Sequence, residues 1–419
     1  MNKKFHTSLT LTLLLTACLM APTTEAAKPN THKAATATKA PAKGKKSESD
    51  GATWPPLEAQ EALADNPPAL NAKAWLLMDA DSGQILAAAN ADEPLPPASL
   101  TKMMTSYLAE QALASGKLKE TDMVSVSLNA WCRGTNTESC MYLPLNSQAS
   151  VIDILRGIIV QSGNDASKAL AEHMAGSEPG FAKLMNDEAA KLGMKNTHFV
   201  NATGLPDPEH KSSARDLALL ARAIVQNSAK YYPIYAEREF KFNGIKQGNR
   251  NALLYTDTSV DGLKTGHTNE AGYCLVTSAK RNDMRLISVV LNTSSAKARA
   301  DMSRTLLSWG YSKFAKVTPI QAEAVVAAAK VKFGKKDTVP AVLAAPWLLT
   351  VPNGVQVQTN VEIQPGLQAP VAKGAVIGKV VATANGKAVG ESALVAQADV
   401  ERSGFLLLGW QHVMGWFSK

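Results

Sequence analysis

A serine and a lysine three residues apart, Ser99 and Lys102, stand first among the residues whose types could do chemistry. A hydroxyl is a weak nucleophile until a base takes its proton. A lysine on the buried side of a helix is desolvated, which disfavours the ammonium, so its amine can serve as that base. The pair lies in Pro96-Pro97-Ala98-Ser99-Leu100-Thr101-Lys102-Met103-Met104. The two prolines stop any preceding helix, and Ser99 is predicted to open a new one. Leu100, Met103, Met104, Tyr107 and Leu108 recur at helical spacing, which buries one face of that helix. Alone, Ser-x-x-Lys reads equally well as an N-cap followed by a surface lysine.

Two further groups deserve the same weighing. In Ile158-Ile159-Val160-Gln161-Ser162-Gly163-Asn164-Asp165 an apolar helix ends, a turn follows, and a second helix begins at Asp165. Ser162 and Asn164 on such a turn could face a cleft as proton shuttle and substrate donor; the plainer reading is a capping turn. In Val260-Asp261-Gly262-Leu263-Lys264-Thr265-Gly266-His267-Thr268 a lysine lies on a strand beside two glycines. Glycine in a strand often marks close approach of a ligand or another backbone. The strand edge could pair with an extended peptide while Lys264 attracts a carboxylate. A bulge with a surface lysine is the alternative.

The elements that must position these residues follow from the pattern. Residues 74–79 and 84–89 read as two strands joined by a Ser-Gly turn. Helix signals dominate residues 99–225, strand signals resume over 240–291, and a helix covers 298–309. Segregated blocks of this kind predict an α+β fold in which an antiparallel sheet, drawn from both ends of the segment, carries a helical block. Beyond Phe314, short Val- and Ala-rich runs at 324–331, 355–363, 376–384 and 387–395 alternate with turns and predict a small all-β domain. The expected division is 1–27, 28–68, 69–315, 316–402 and 403–419.

A chain of 419 residues with 45% hydrophobic residues has room for two or three packed domains and excludes wholesale disorder. Residues 1–27 read as a secretory signal peptide: Lys3 and Lys4, an apolar run over 9–21, then small residues for cleavage. Leu15-Thr16-Ala17-Cys18 also resembles a bacterial lipobox. Export makes disulfides permissible. Cys132 and Cys140 are close enough in sequence to form one, or stay as two thiols; Cys274 reads as a small buried hydrophobe. There is no Cys-x-x-Cys or His-Glu-x-x-His, and no metal site is expected. The net charge of +8 owes much to Lys28, Lys33, Lys39, Lys43, Lys45 and Lys46, in a stretch too poor in large apolar residues to fold. Lysines in a solvated tether argue against a nucleic-acid partner. At the other end Leu406, Trp410, Val413 and Phe417 form one stripe of an amphipathic helix, suited to lying in a membrane interface or docking on the protein's own core.

Each motif is weak, but their order and setting are not. Ser-x-x-Lys on a helix, Ser-x-Asn on a turn between helices and Lys-Thr-Gly on a strand form the known constellation of class A β-lactamases and penicillin-binding proteins. The sequence resembles the low-molecular-mass penicillin-binding proteins, the serine D-alanyl-D-alanine carboxypeptidases of the cell wall, from about residue 74 to the C-terminus. Further stretches that carry the likeness include Leu155-Arg156-Gly157, Gly204-Leu205, Ser212-Ser213-Ala214-Arg215-Asp216-Leu217-Ala218 and Asn249-Arg250-Asn251. The resemblance implies a β-lactamase/transpeptidase-like domain, a β-rich C-terminal domain and a membrane-associating terminal helix. It implies Ser99 as nucleophile, Lys102 as general base, Ser162 as proton relay, and Asn164 holding Lys102 and the substrate amide. Lys264, Thr265, Gly266, His267 and Arg250 would bind substrate, with the oxyanion between the N–H groups of Ser99 and His267. No cofactor is implied. The expected partners are peptidoglycan stem peptides, β-lactam antibiotics and the outer face of the inner membrane, in the periplasm. A D,D-endopeptidase or a serine β-lactamase shares the fold, and a catalytically silent wall-binding module is the rival of another class. Retention of all three motifs argues against the last.

Overall fold

The computed structural model describes residues 66–133 and 138–404, all within one compact unit, Asp50–Lys419. The segment read as a signal peptide, nearly all of the Lys-rich stretch and the stripe read as a terminal amphipathic helix lie outside the described residues. The chain enters as β1 (Ala74–Asp79) and β2 (Ile85–Ala89). A 3-10 turn, Ala98–Thr101, leads into α1 (Lys102–Ala114). A small hairpin, β3 (Met123–Ser125) with β4 (Gln148–Ser150), precedes α2 (Val151–Ile159), α3 (Asn164–Ala175), α4 (Glu178–Lys191) and α5 (Ala214–Asn227). A second hairpin, β5 (Glu239–Phe242) and β6 (Ile245–Gly248), and the short α6 (Leu253–Thr256) follow. The chain then returns as β7 (Val260–Thr268), β8 (Gly272–Arg281) and β9 (Met284–Thr293), and crosses back as α7 (Ala296–Lys313).

These strands form one antiparallel sheet in the order β2-β1-β9-β8-β7, so both ends of the segment meet at its centre. Side chains alternate across a strand, and here both faces are buried. Leu76, Met78, Val276, Ile287 and Val289 face the helical block; Trp75, Leu77, Leu275, Leu286 and Val290 face the layer that includes α7. That is why β1 and β9 read as largely continuous apolar runs rather than alternating ones. Serine N-caps start the helices: Ser150 accepts the Asp153 N–H, Ser213 that of Asp216 and Ser295 that of Ala298. The α+β reading of this part holds.

One expectation needs correction. Ser99 does not open the α-helix; it sits in the 3-10 turn, and α1 begins at Lys102. In a 3-10 turn residues i and i+3 eclipse one another. The tighter winding therefore stacks Ser99 over Lys102 instead of splaying them.

The remainder is β-rich, as read. β10 (Phe314–Val317) pairs with β13 (Leu349–Pro352), and β11 (Ala327–Lys330), β12 (Thr338–Leu343), β14 (Val357–Ile363), β15 (Val376–Ala384) and β16 (Lys387–Ala396) form a second antiparallel sheet in the order β11-β12-β16-β15-β14. Its own core includes Val339, Trp347, Leu349, Ile377, Val380 and Leu394. The join to the first sheet is specific. Gln84, buried beside β2, donates from Nε2 to the Val389 carbonyl at 2.8 Å and accepts the Thr350 N–H on Oε1 at 3.0 Å. Lys316 pairs with Asp81 and lies 3.8 Å from Asp79.

Candidate active site

Three segments far apart in sequence meet where the first sheet abuts the helical block: the 3-10 turn, the turn between α2 and α3, and β7. Ser99 is partly exposed; Lys102 beneath it is 1% exposed. Lys102 Nζ lies 3.0 Å from Ser99 Oγ, 2.6 Å from Asn164 Oδ1 and 2.6 Å from the Thr203 carbonyl. Burial brings its pKa down to about 7, helped by the nearby charges of Arg250 and Lys168 and opposed by Glu138 and Asp165. A lysine with a pKa near 7 spends a useful fraction of its time as a neutral amine.

Residues at both turns adopt left-handed backbone. Ala98, just before the nucleophile, has φ 48°, and Ser162 has φ 59°. Such conformations persist only where the surroundings enforce them. Here the enforcement is visible. A Cβ on Gly266 would come within 2.9 Å of the Pro97 carbonyl, so β7 lies directly against the nucleophile turn. The Gly204 Cα is closer still: a Cβ there would fall 1.8 Å from the Ala98 carbonyl oxygen.

Ser162 Oγ accepts from Lys264 Nζ at 2.9 Å, and Lys264 also donates to the Thr265 carbonyl at 3.1 Å. Lys264 is 4% exposed. Burial, then the neighbouring Lys102, Arg250 and Arg299, hold its pKa well below the usual lysine range. The charges that act on Lys264 are thus all positive. Thr265 and Gly266 are buried on β7, while His267 is exposed and its ring lies against Tyr273, centroids 4.0 Å apart. Arg250 is carried on a turn fixed on both sides: Asn249 Nδ2 donates to the Glu237 carbonyl and Asn251 Nδ2 to that of Gly262. Arg250 Nη1 donates to Ser139 Oγ on the opposite rim.

All nine residues singled out in the sequence therefore belong to the three segments or to the Arg250 turn beside them. Others were not singled out. The Thr203 carbonyl is a backbone atom and leaves no mark in the sequence. His210 supports the nucleophile turn: its Nδ1 accepts the Val200 N–H at 3.0 Å, so Nε2 carries the proton and faces Thr101 Oγ1 at 2.8 Å. Burial lowers its pKa to about 4, which keeps it neutral. Arg299, on α7, donates to the Gly266 carbonyl at 2.9 Å and holds β7 from behind. Asp165 is buried and accepts the N–H groups of Met141 and Leu143 at 2.8 and 2.9 Å, tying the far rim to α3. On that rim Cys132 and Cys140 form a disulfide, which takes up both sulfurs. Cys274 is buried on β8.

Comparison with known proteins agrees with this geometry. The sequence profile of the D-alanyl-D-alanine carboxypeptidases matches residues 61–295, and that of the penicillin-binding protein 5 C-terminal domain matches residues 314–402. The D-alanyl-D-alanine carboxypeptidase DacC of Escherichia coli is 44% identical over 366 residues, 84% of this chain and 92% of its own. The crystal structure of penicillin-binding protein 5 from Haemophilus influenzae superposes with a TM-score of 0.76 at 45% identity, over 81% of this chain and 100% of that one. Penicillin-binding protein D2 of Listeria monocytogenes, solved with ampicillin bound, matches at 30% identity with a TM-score of 0.54, over 59% of this chain and 100% of that one. With the three motifs assembled in one cleft and a likeness that runs through both sheets, the chain belongs to the D-alanyl-D-alanine carboxypeptidase family of penicillin-binding proteins.

Proposed function

We propose that the protein is a serine D-alanyl-D-alanine carboxypeptidase that removes the terminal D-alanine from peptidoglycan stem pentapeptides through an acyl-enzyme on Ser99. The observation that carries this reading is the setting of Lys102. A neutral amine has two N–H donors and one lone pair. Asn164 Oδ1 and the Thr203 carbonyl are both acceptors at 2.6 Å, so they take the two donors. The lone pair is left for Ser99, 3.0 Å away.

In this reading Lys102 takes the Ser99 proton as Oγ attacks the carbonyl between the two alanines. The oxyanion forms against the backbone N–H groups of Ser99 and His267; two such donors in a water-poor site contribute several kcal/mol. The C–N bond breaks, and a proton relayed through Ser162 goes to the departing D-alanine amine. The substrate carboxylate lies toward Lys264, Thr265 and Arg250, where it offsets the mutual repulsion of Lys264 and Arg250. Water then adds to the acyl carbonyl and frees the shortened peptide and Ser99. A β-lactam follows the same first step and leaves slowly.

Mass spectrometry after incubation with penicillin, and then with a peptide ending in D-alanyl-D-alanine, tests this. The expected result is a persistent adduct on Ser99 and loss of one alanine from the peptide. Fast drug turnover without peptide cleavage would make the protein a β-lactamase. Cleavage of cross-linked dimers alone would make it an endopeptidase.

The protein acts outside the cytoplasm in this reading, held to the membrane surface by its amphipathic C-terminal segment. No described helix is long and apolar enough to cross a membrane. Supporting a surface anchor are two tryptophans, Trp410 and Trp416, with Phe417 and Leu406 near the chain end. Deleting residues 404–419 should move the protein from the membrane to the soluble fraction. Retention in the membrane would shift attention to Cys18.

A further inference from the structure

The rim opposite β7 carries a carboxylate that the reaction as described does not use. Glu138 lies two residues before Cys140, on the segment closed by the disulfide. Its Oε2 accepts from Asn164 Nδ2 at 2.6 Å, and Lys168, one turn along α3, is 3.9 Å away. The backbone repeats the tie: the Asn164 N–H donates to the Ser139 carbonyl at 2.7 Å. The next residues are pinned too, because Gln247 Nε2 donates to the Cys140 carbonyl and the Met141 N–H to Asp165.

We infer that Glu138 is a positioning residue for the general base: its carboxylate holds the Asn164 amide with the oxygen toward Lys102, and this aims the amine's lone pair at Ser99. This rests on the reading of Ser99 and Lys102 given above. The reasoning concerns the two ends of one amide. An ionised carboxylate only accepts, so it selects the NH₂ end of Asn164 and leaves Oδ1 facing Lys102. Without that constraint the amide can turn over. Its NH₂ would then face Lys102 and compete with the Ser99 hydroxyl for the lone pair. The second N–H of Asn164 stays available for substrate.

Glu138 also acts through its charge. The charged groups around Lys102 are Arg250 from the turn after β6, Lys168 and Asp165 from α3, Lys264 from β7, and Glu138 from the rim. Glu138 favours the ammonium, and burial, Arg250 and Lys168 oppose it. Orientation and charge can therefore be separated by two substitutions. Glu138→Gln keeps an oxygen for Asn164 and removes the charge; Glu138→Ala removes both.

The test is the rate of Ser99 acylation by a fluorescent penicillin across pH, in the full-length protein, with melting temperature as a control. Glu138→Gln should keep most of the plateau rate and move the acid limb to lower pH, so that it outruns the wild type in acid. Glu138→Ala should move the limb the same way and lose roughly ten- to a hundred-fold of the plateau through misalignment. Acid limbs that coincide with the wild type, or equal plateau losses in both variants that track lowered melting temperatures, would reduce Glu138 to a structural residue and overturn the inference. A wild type that is never acylated would instead overturn the proposed function itself.

Discussion

Lys102→Ala is expected to slow acylation of Ser99 by about 10²–10⁴-fold, the usual contribution of a positioned general base. Stopped-flow acylation by a fluorescent penicillin measures it, with circular dichroism to verify the fold. Acylation at the wild-type rate would remove Lys102 as the base. The wild-type enzyme should show the complementary pH effect. Below its pKa of about 7 Lys102 is an ammonium without a lone pair, so the rate should fall about ten-fold per pH unit. The same burial has an effect on stability with a definite sign. The folded pKa lies below the unfolded value of about 10.4. Between the two values the unfolded chain holds the extra proton, so this group's contribution to stability rises with pH across that window. The base is thus bought with some stability near neutrality.

The second large effect is expected at Gly204, where no side chain has room. Its φ is +81°, and a Cβ would overlap both the Ala98 carbonyl and Thr101 Oγ1. Left-handed backbone costs an L-residue about 1–2 kcal/mol, and overpacking costs about 1–3 kcal/mol more. Gly204→Ala should therefore destabilise the protein by roughly 2–5 kcal/mol. Thermal unfolding reads this directly. The neighbouring Thr203 carbonyl holds Lys102, so whatever folded variant survives should also acylate slowly. A variant with wild-type melting temperature and rate would show that the nucleophile turn is far more compliant than its packing indicates.

The legible part of this site was its covalent pattern. Ser99 and Lys102, Ser162 and Asn164, and Lys264 with Thr265 and Gly266 are each set by spacing within a few residues, and local spacing is what a sequence displays. The environment that makes Lys102 a base is legible in part only, Asn164 through the family resemblance and the rest not at all, because it is assembled from afar. Asn164 and the Thr203 carbonyl come from positions 62 and 101 residues away. One of them is a backbone oxygen. Glu138 carries no signal of its own, because a lone glutamate in a polar stretch looks like any solvated loop residue. In the fold, β1 and β2 are legible one by one and β7, β8 and β9 fall in the block of strand signals over 240–291, whereas β12 and β13 carry no such signal. Pro340 interrupts the first of these and Pro352 ends the second. Proline removes a ladder donor and weakens any strand signal. The 3-10 winding at Ser99 was equally hidden, since it depends on β7 and Gly204 pressing against that turn.

The bridge made by Gln84 has a mechanical consequence. Both polar ends of one buried amide are engaged by backbone of the β-rich part, at Val389 on β16 and at Thr350 on β13. Lys316 adds a polar strut to Asp81. A joint fastened at separate points resists twisting as well as bending, so the two sheets behave as a lever more than as beads on a string. The direction in which the cleft opens is then inherited from whatever surface the second sheet meets.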